Sequence, residues 1–308
     1  RGVWTLTPGV RGEHINVSLK NYGTSDNARR GTALLTADNV VTAILPGVGV
    51  NLDVAEDLSV FAGVHRGFSP PGMPSTGSAT AQAVVEKAWN YEVGMRSQRG
   101  GIRTSLVGFF CNYQNLLGSD NLAGGGLGTG DQFNAGAASV LGVELSMQSE
   151  ISLLSASKLS IPINLSYTFT DARFQSTFQG AGGDWGTSLI TKGDVIPFIP
   201  PHQLSLQAGL TTPTIQALII GRYTSIMRTK PGQAEQITPV VNGSYTAVNA
   251  LPSTFFLDAT FNLAVGSGVT LAVSVTNIFN STAIVSNLPQ GYRPSMPRSG
   301  NVGVKCSF

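Results

Sequence analysis

The chain has 308 residues and a formal net charge of +2, so it is long enough for one large or two ordinary domains. Only 12% of the residues are charged, against roughly 25% in an average soluble protein, and no cluster of Lys and Arg marks a nucleic-acid surface. The sequence contains no run of 18 apolar residues, which excludes a transmembrane helix. A membrane-embedded chain of this kind would have to be a closed β-barrel, because backbone groups in lipid must pair with other strands.

Twelve segments with alternating apolar and polar residues predict twelve β-strands. Long and short connections alternate between them, as in a barrel with two unlike ends. The short turns are predicted at 55–57, 99–101, 154–157, 211–214 and 265–268. The strands are predicted at 3–19, 40–54, 58–68, 87–98, 102–117, 139–153, 158–171, 202–210, 215–227, 254–264, 269–276 and 298–308.

The seventh segment shows the pattern most clearly. From 159 to 169 every odd position is aliphatic or aromatic, whereas the even positions carry Ser, Pro, Asn or Thr. One side therefore suits lipid and the other suits water, and about 9–11 residues suffice for a tilted strand to cross a bilayer. Trp4, Trp89, Tyr167 and Phe308 lie near strand ends, where an interfacial aromatic belt is expected. A soluble β-sandwich would also alternate, but it would rarely place every long connection at one end.

These patterns predict an all-β fold, an antiparallel transmembrane β-barrel in a bacterial outer membrane. The last strand ends in Phe308, and if that end is periplasmic, all the short turns are periplasmic and all the long loops are extracellular.

Several charged residues are predicted on or near the polar face, where two roles are open. They can pair with one another and with a domain that fills the lumen, or the arginines can capture an anion through two-point contacts. For anion capture, Arg66 and Arg173 lie at the loop ends of the third and seventh strands, Arg228 and Lys230 follow the ninth, and Arg293 and Arg298 lie in the last loop. The polar-face set is Arg11, Glu13, Arg66, Glu92, Arg96, Arg103, Glu144, Asp171 and Arg222.

The sequence predicts neither an enzyme nor a metal or cofactor site. His14, His65 and His202 have no second ligand at metal-site spacing, and we expect each of them to form hydrogen bonds at the rim or in the lumen. Cys111 and Cys306 fall in two distant strands and are predicted to be free thiols.

Six stretches, in order along almost the whole chain, resemble the carboxy-terminal part of the barrel of TonB-dependent outer-membrane receptors, in particular the ferric citrate type. They are residues 65–71 (HRGFSPP), 86–96 (EKAWNYEVGMR), 142–144 (GVE), 192–204 (KGDVIPFIPPHQL), 275–280 (VTNIFN) and 291–308 (GYRPSMPRSGNVGVKCSF).

The resemblance implies a 22-stranded barrel filled by an amino-terminal plug. Such receptors import a ferric chelate, with citrate or a siderophore-like ligand, or a similar scarce solute, and they draw energy through TonB. The implied partners are the solute, the lipid bilayer, the plug and the TonB complex. In the ferric citrate type an asparagine of the final loop contacts the ligand, and counting back from Phe308 reaches Leu288, with Asn287 beside it. The resemblance thus adds Asn287 to the arginines considered for anion capture, and the predicted ligand residues are Arg66, Arg173, Arg228, Asn287 and Arg293.

The chain departs from that family pattern in extent. It has room for about twelve strands, Arg1 opens directly into a strand without a signal peptide, and neither a plug nor a coupling box is recognised. We expect residues 1–308 to be the carboxy-terminal portion of a longer barrel. The alternative is a non-transporting barrel, either a passive twelve-stranded pore or a structural subunit of a membrane complex.

Overall fold

The structure is a computed structural model that describes all residues except 1, 33, 71–84, 120–131, 135, 155–157, 181–184, 186–187, 233–239, 242–243, 246–248, 267, 288–290 and 307–308. Among the described residues, no helix is long and apolar enough to span a membrane. The main sheet has twelve strands. They are β1 (Val3–Asn21), β2 (Leu35–Ala55), β3 (Leu58–Ser69), β4 (Glu86–Arg99), β5 (Ile102–Gln114), β6 (Ala138–Leu154), β7 (Leu159–Phe174), β8 (His202–Thr211), β9 (Ile215–Thr224), β10 (Thr254–Gly266), β11 (Val269–Thr276) and β12 (Ser299–Cys306).

All twelve predicted strands are confirmed, and the differences concern their ends. β2 begins at Leu35, five residues earlier than predicted, because it pairs with β1 up to Asn21. β9 stops at Thr224 because the next pairing residues, Met227–Arg228, bond to Ala250–Leu251 instead of continuing in the sheet. The predicted aromatic terminus, Phe308, lies outside the described residues.

Each strand pairs antiparallel with its neighbours in chain order, from β1 to β12. Tight turns join β2 to β3 and β4 to β5, and longer connections alternate with them as predicted. Within the described part of the chain, β1 pairs only with β2 and β12 pairs only with β11, so the sheet has two open edges. An open strand edge in a membrane leaves backbone groups unpaired, which lipid does not tolerate.

The strands of the sheet are staggered, so that a row of directly opposed residues runs from the short-turn end of β1 to the long-loop end of β10. Trp4, the second residue of β1, lies at the short-turn end, whereas Phe255, the second residue of β10, lies at the long-loop end. Both belong to one row of directly opposed residues, so the strands are tilted relative to the row, as barrel closure requires. The row is Trp4, Leu52, Val60, Met95, Leu106, Leu145, Tyr167, Leu204, Tyr223 and Phe255.

The two faces of the sheet differ sharply in polarity. The face that carries this row, called the outward face below, is apolar and exposed; Val93, for example, is 62% exposed and Ile219 is 53% exposed. The opposite, inward face carries a parallel row of hydroxyl groups with one arginine: Ser59, Arg96, Ser105, Ser146, Ser166 and Ser205. The apolar rows of β7 and β10 therefore do not meet in a dry interior. This polarity confirms the predicted transmembrane barrel architecture.

A small apolar cluster lies above the sheet. Phe174, at the loop end of β7, packs edge-on against Trp185 at 5.2 Å between ring centroids, and Ile190 completes the cluster with 1% of its surface exposed. Phe178 packs against both rings. The loop between β7 and β8 is therefore anchored by its own core.

Candidate functional site

The inward face carries the charges that sequence analysis placed on the polar side. Arg11 forms an ion pair with Glu13, and Arg222 forms one with Asp258. The guanidinium of Arg96 lies 4.2 Å from the ring centroid of Phe61. The strand register confirms the predicted inward face for Arg11, Glu13, Glu92, Arg96, Arg103, Glu144 and Arg222.

The polar-face prediction is wrong for Arg66 and Asp171. Arg66 is directly opposite Trp89 on the outward face, and its guanidinium lies 5.8 Å from the Trp89 ring centroid. Asp171 opposes the outward Leu141. Side chains alternate between the two faces along these continuous strands. A shift of one residue in the assignment therefore moves a charge to the other face of the sheet.

Arg173, the second arginine predicted at a strand end, is also on the outward face. Its Nε donates to both carboxylate oxygens of Asp171, at 2.8 and 3.0 Å, and its Nη1 donates to the carbonyl of Gly193 at 3.0 Å. This arginine fastens the β7–β8 loop to the outside of the barrel. The structure therefore does not bring Arg66 or Arg173 to the lumen.

The other three predicted ligand residues lie on two loops that meet at the long-loop end. The loops after β9 and β11 meet where Asn287 Nδ2 donates to Thr229 Oγ1 at 3.1 Å. Arg228 precedes Thr229, and Arg293 pairs with Ser286, the residue before Asn287. We call Arg228, Thr229, Asn287 and Arg293 the mouth cluster.

The mouth cluster is supported by buried backbone. Thr229 is 3% exposed, and its N–H donates to the carbonyl of Asn249 at 2.8 Å. The carbonyl of Arg228 accepts the N–H of Phe198 at 2.7 Å, which connects the cluster to the β7–β8 loop, and Arg228 Nη1 donates to the carbonyl of Gly232 at 2.7 Å. Asn287 Oδ1 is buried and accepts no hydrogen bond from the described residues. Three loops thus fix one arginine and one asparagine in a defined place.

The network that holds the last loop was not predicted from the sequence. Asp258 on β10 pairs with Arg222 through one oxygen and accepts the backbone N–H of Asn277 at 2.8 Å through the other. Asn277 Nδ2 in turn donates to the carbonyls of Ser281 and Met296, at 2.9 and 2.8 Å. The sequence feature that could have indicated this network is the pair of asparagines in the stretch 275–280. Asn277 and Asn280 both adopt positive φ, near 51°, which Asn tolerates better than most residues.

A recess of about 610 Å³ lies at the opposite, short-turn end of the inward face. Asp53, Asp57, Arg96, Arg103 and Gln148 contribute to its lining. It is polar and mixed in charge, and it lies apart from the mouth cluster.

The histidines and cysteines behave as ordinary wall residues. His14 Nδ1 is 3.0 Å from Thr42 Oγ1, and His202 Nδ1 is 2.9 Å from the Tyr167 hydroxyl, so both form hydrogen bonds as predicted. The register places both rings on the outward face and not in the lumen. Cys111 and Cys306 are free, as predicted. In the part of the chain that the structure describes, no three His, Cys, Asp or Glu residues form a group that could hold a metal ion.

A tilted antiparallel sheet with an apolar outward face, a charged inward face and long loops at one end has the architecture of a transmembrane β-barrel. Residues 2–278 match the family model described as TonB dependent receptor-like, beta-barrel, and the chain belongs to this family. Barrels of this family are proteins of the bacterial outer membrane.

Solved structures of such receptors share the fold at low sequence identity. The siderophore receptor PiuA from Acinetobacter baumannii superposes with a TM-score of 0.73 at 17% identity, over 98% of this chain and 40% of PiuA. The unliganded ferric citrate transporter FecA gives 0.72 at 20% identity, over 98% and 42%. The copper transporter OprC gives 0.68 at 15% identity, over 99% and 45%. The chain thus spans less than half the length of these structures.

Proposed function

We propose that the chain is the carboxy-terminal portion of the barrel of a TonB-dependent receptor that imports an anionic ferric chelate, of the citrate or siderophore type. The observation that carries the proposal is the mouth cluster, in which Arg228 and Asn287 are fixed by three converging loops. An arginine binds carboxylates or other anionic oxygens in two-point contacts, and an amide adds directional hydrogen bonds.

The extent of the chain supports its place in a larger barrel. Its twelve-stranded sheet has two open edges and spans about 40% of the length of PiuA. In the proposed receptor, ten further strands close a 22-stranded barrel, and a plug contacts the charged inward face, including the recess near Asp57 and Arg103. TonB would act on that plug rather than on residues 1–308. Neither the fold nor the family indicates an enzyme.

The proposal is tested in the whole receptor by uptake of radioactive ferric citrate and of a ferric siderophore. Arg228→Ala and Asn287→Ala should each raise the concentration for half-maximal uptake by about tenfold, the equivalent of one lost charge-assisted hydrogen bond. Arg173→Ala is the matched control, because it removes an arginine at the same end of the barrel but on the outward face. Uptake that depends on Arg173 as much as on Arg228 would contradict the assignment of the mouth cluster.

The alternative function, a passive or structural twelve-stranded barrel, makes a different prediction about the mature protein. Its intact mass would be close to the 32.1 kDa of this chain, whereas the proposed receptor is more than twice as large. Uptake would also continue after TonB is removed. Either result would replace the receptor proposal with the alternative.

A further inference from the structure

The outward placement of Arg66 puts a cation on the membrane side of the wall, and no acid among the described residues forms an ion pair with it. Phe68 directly opposes Lys87, and Arg66 directly opposes Trp89, so Arg66 and Lys87 are diagonal neighbours on the same face. Diagonal neighbours in an antiparallel pair lie about 7–8 Å apart. Two cations at this spacing repel each other, and an anion bound between them offsets the repulsion.

Within the described part of this surface, no acid is paired with either of these two charges. Among the described residues, neither Arg66 nor Lys87 takes part in an ion pair. Glu86, next to Lys87 in sequence, points inward, and its Oε2 accepts the N–H of Leu117 at 2.9 Å. The loop sequence from 71 to 84 contains no Asp or Glu. On the neighbouring strand, the residues that oppose Lys87 and Trp89 are amides, Gln114 and Asn112.

The depth of this pair follows from the order of outward residues along β4. From the loop end towards the turn they are Lys87, Trp89, Tyr91, Val93 and Met95. In membrane proteins, cations lie at the level of the headgroups, aromatic residues lie at the interface, and aliphatic residues lie in the hydrocarbon. The outward residues of β4 follow this order. Tyr91 also pairs with Phe110 at 6.1 Å between ring centroids, which extends the aromatic level to β5. Lys87 therefore lies at headgroup height, and Arg66 lies one outward position lower, level with Trp89.

We propose that Arg66 and Lys87, with Trp89 beneath Lys87 and Asn112 beside it, bind the phosphate of an anionic lipid headgroup in the outer leaflet. We call these four residues the headgroup patch. Arg66 offers a planar fork of donors and Lys87 a point charge, and Asn112 can add an amide hydrogen bond. The guanidinium of Arg66 lies 5.8 Å from the centroid of the Trp89 ring. In the proposed complex, Trp89 also contacts the upper part of the acyl chain.

The test uses the whole receptor purified in detergent, with native mass spectrometry of bound phosphatidic acid and phosphatidylcholine as probes. The variants are Arg66→Gln, Lys87→Gln and the double substitution. Since a basic residue near a lipid surface contributes about 1 kcal/mol, each single change should weaken phosphatidic acid binding about fivefold and the double change about twenty-fivefold. Binding of phosphatidylcholine should not change.

Arg99→Gln is the matched control, because Arg99 lies on the outward face of the same strand, at the short-turn end, and pairs with Asp57 at 3.5 Å. It should alter phosphatidic acid binding by less than about twofold, as expected for an exposed, neutralised charge. Equal losses from Arg99→Gln and Arg66→Gln would overturn the proposal, and so would wild-type affinity in the double variant.

Two measurements on the unaltered receptor test the headgroup patch without any substitution. Phosphatidic acid should bind at least tenfold more tightly than phosphatidylcholine, and equal affinities would overturn the proposal. Inorganic phosphate at the same concentration should not displace the lipid. Displacement would assign the patch to free anions and would overturn the lipid source.

Discussion

Arg66 on β3 and Arg228 in the β9–β10 loop were predicted to share one role, yet they lie on different surfaces. Arg66 is outward because its ladder position is opposite Trp89, whereas Arg228 joins the mouth cluster through contacts among three loops. On a strand, the parity of a single position decides between lipid and lumen. In a loop there is no such periodicity, and the position of a side chain depends on tertiary contacts.

The largest expected effect tests parity on β7. Leu165→Arg places a charge on the outward face, and Ser166→Arg places the same charge on the inward face one residue later. An arginine facing the bilayer midplane costs about 2–4 kcal/mol, whereas a lumen position is solvated. Reversible unfolding in phospholipid vesicles, followed by tryptophan fluorescence, should show this loss for Leu165→Arg alone. Comparable losses in both variants would mean that the two faces are not distinct.

The next largest effect concerns the last loop, which Asp258 holds through its hydrogen bond with Asn277. Replacing Asp258 with alanine leaves the buried N–H of Asn277 without its acceptor, so the free energy of unfolding should fall by about 1–3 kcal/mol. Glu13→Ala breaks the ion pair with Arg11, whose side chain is 73% exposed, and should cost less than about 1 kcal/mol. Urea unfolding in the same vesicles compares the two, and an equal cost would show that Asp258 does not anchor the last loop.

A smaller, pH-dependent effect is expected in the β1–β2 loop. The carboxylate of Asp26 accepts the backbone N–H groups of Arg30, Gly31 and Thr32, at 2.9, 2.6 and 3.1 Å. These hydrogen bonds lower the pKa of Asp26 below its ordinary value of 3.8, and the bond from Arg30 contributes most. Burial of the carboxylate opposes that shift. Because the folded pKa is the lower one, the bonds stabilise the loop fully above pH 3.8 and are lost as the pH falls through the folded pKa.

Hydrogen exchange of the three amides, corrected for intrinsic rates, measures this effect. Protection should decrease below pH 3.8 in the wild type and should already be low at neutral pH in Asp26→Ala. Protection that does not change in either case would show that the carboxylate does not order the loop.

The smallest perturbation uses the two native thiols. Cys111 is inward, opposite Asn90, and Cys306 is outward, in line with Val302 and Val304. Spin labels on single-cysteine variants should therefore differ in accessibility: oxygen, which partitions into lipid, should relax the label at 306, and a water-soluble nickel complex should relax the label at 111. The opposite ranking would reverse the assignment of the faces.

The strand pattern was predictable because side chains alternate strictly on a pleated backbone, and water and lipid select opposite residues for the two faces. That rule gave all twelve strands and the inward charges such as Arg96. It failed at Arg66 and Asp171 because the apolar pattern fades above the membrane, so composition there no longer reveals which face a residue occupies.

By itself, then, the sequence determined the number, order and two-sided character of the strands, since these depend on local periodicity. Only the tertiary structure decided the stagger of the sheet, the outward position of Arg66 and the meeting of Thr229 with Asn287. Each of these depends on hydrogen bonds between segments far apart in the chain, and a single sequence does not record which distant donors and acceptors pair.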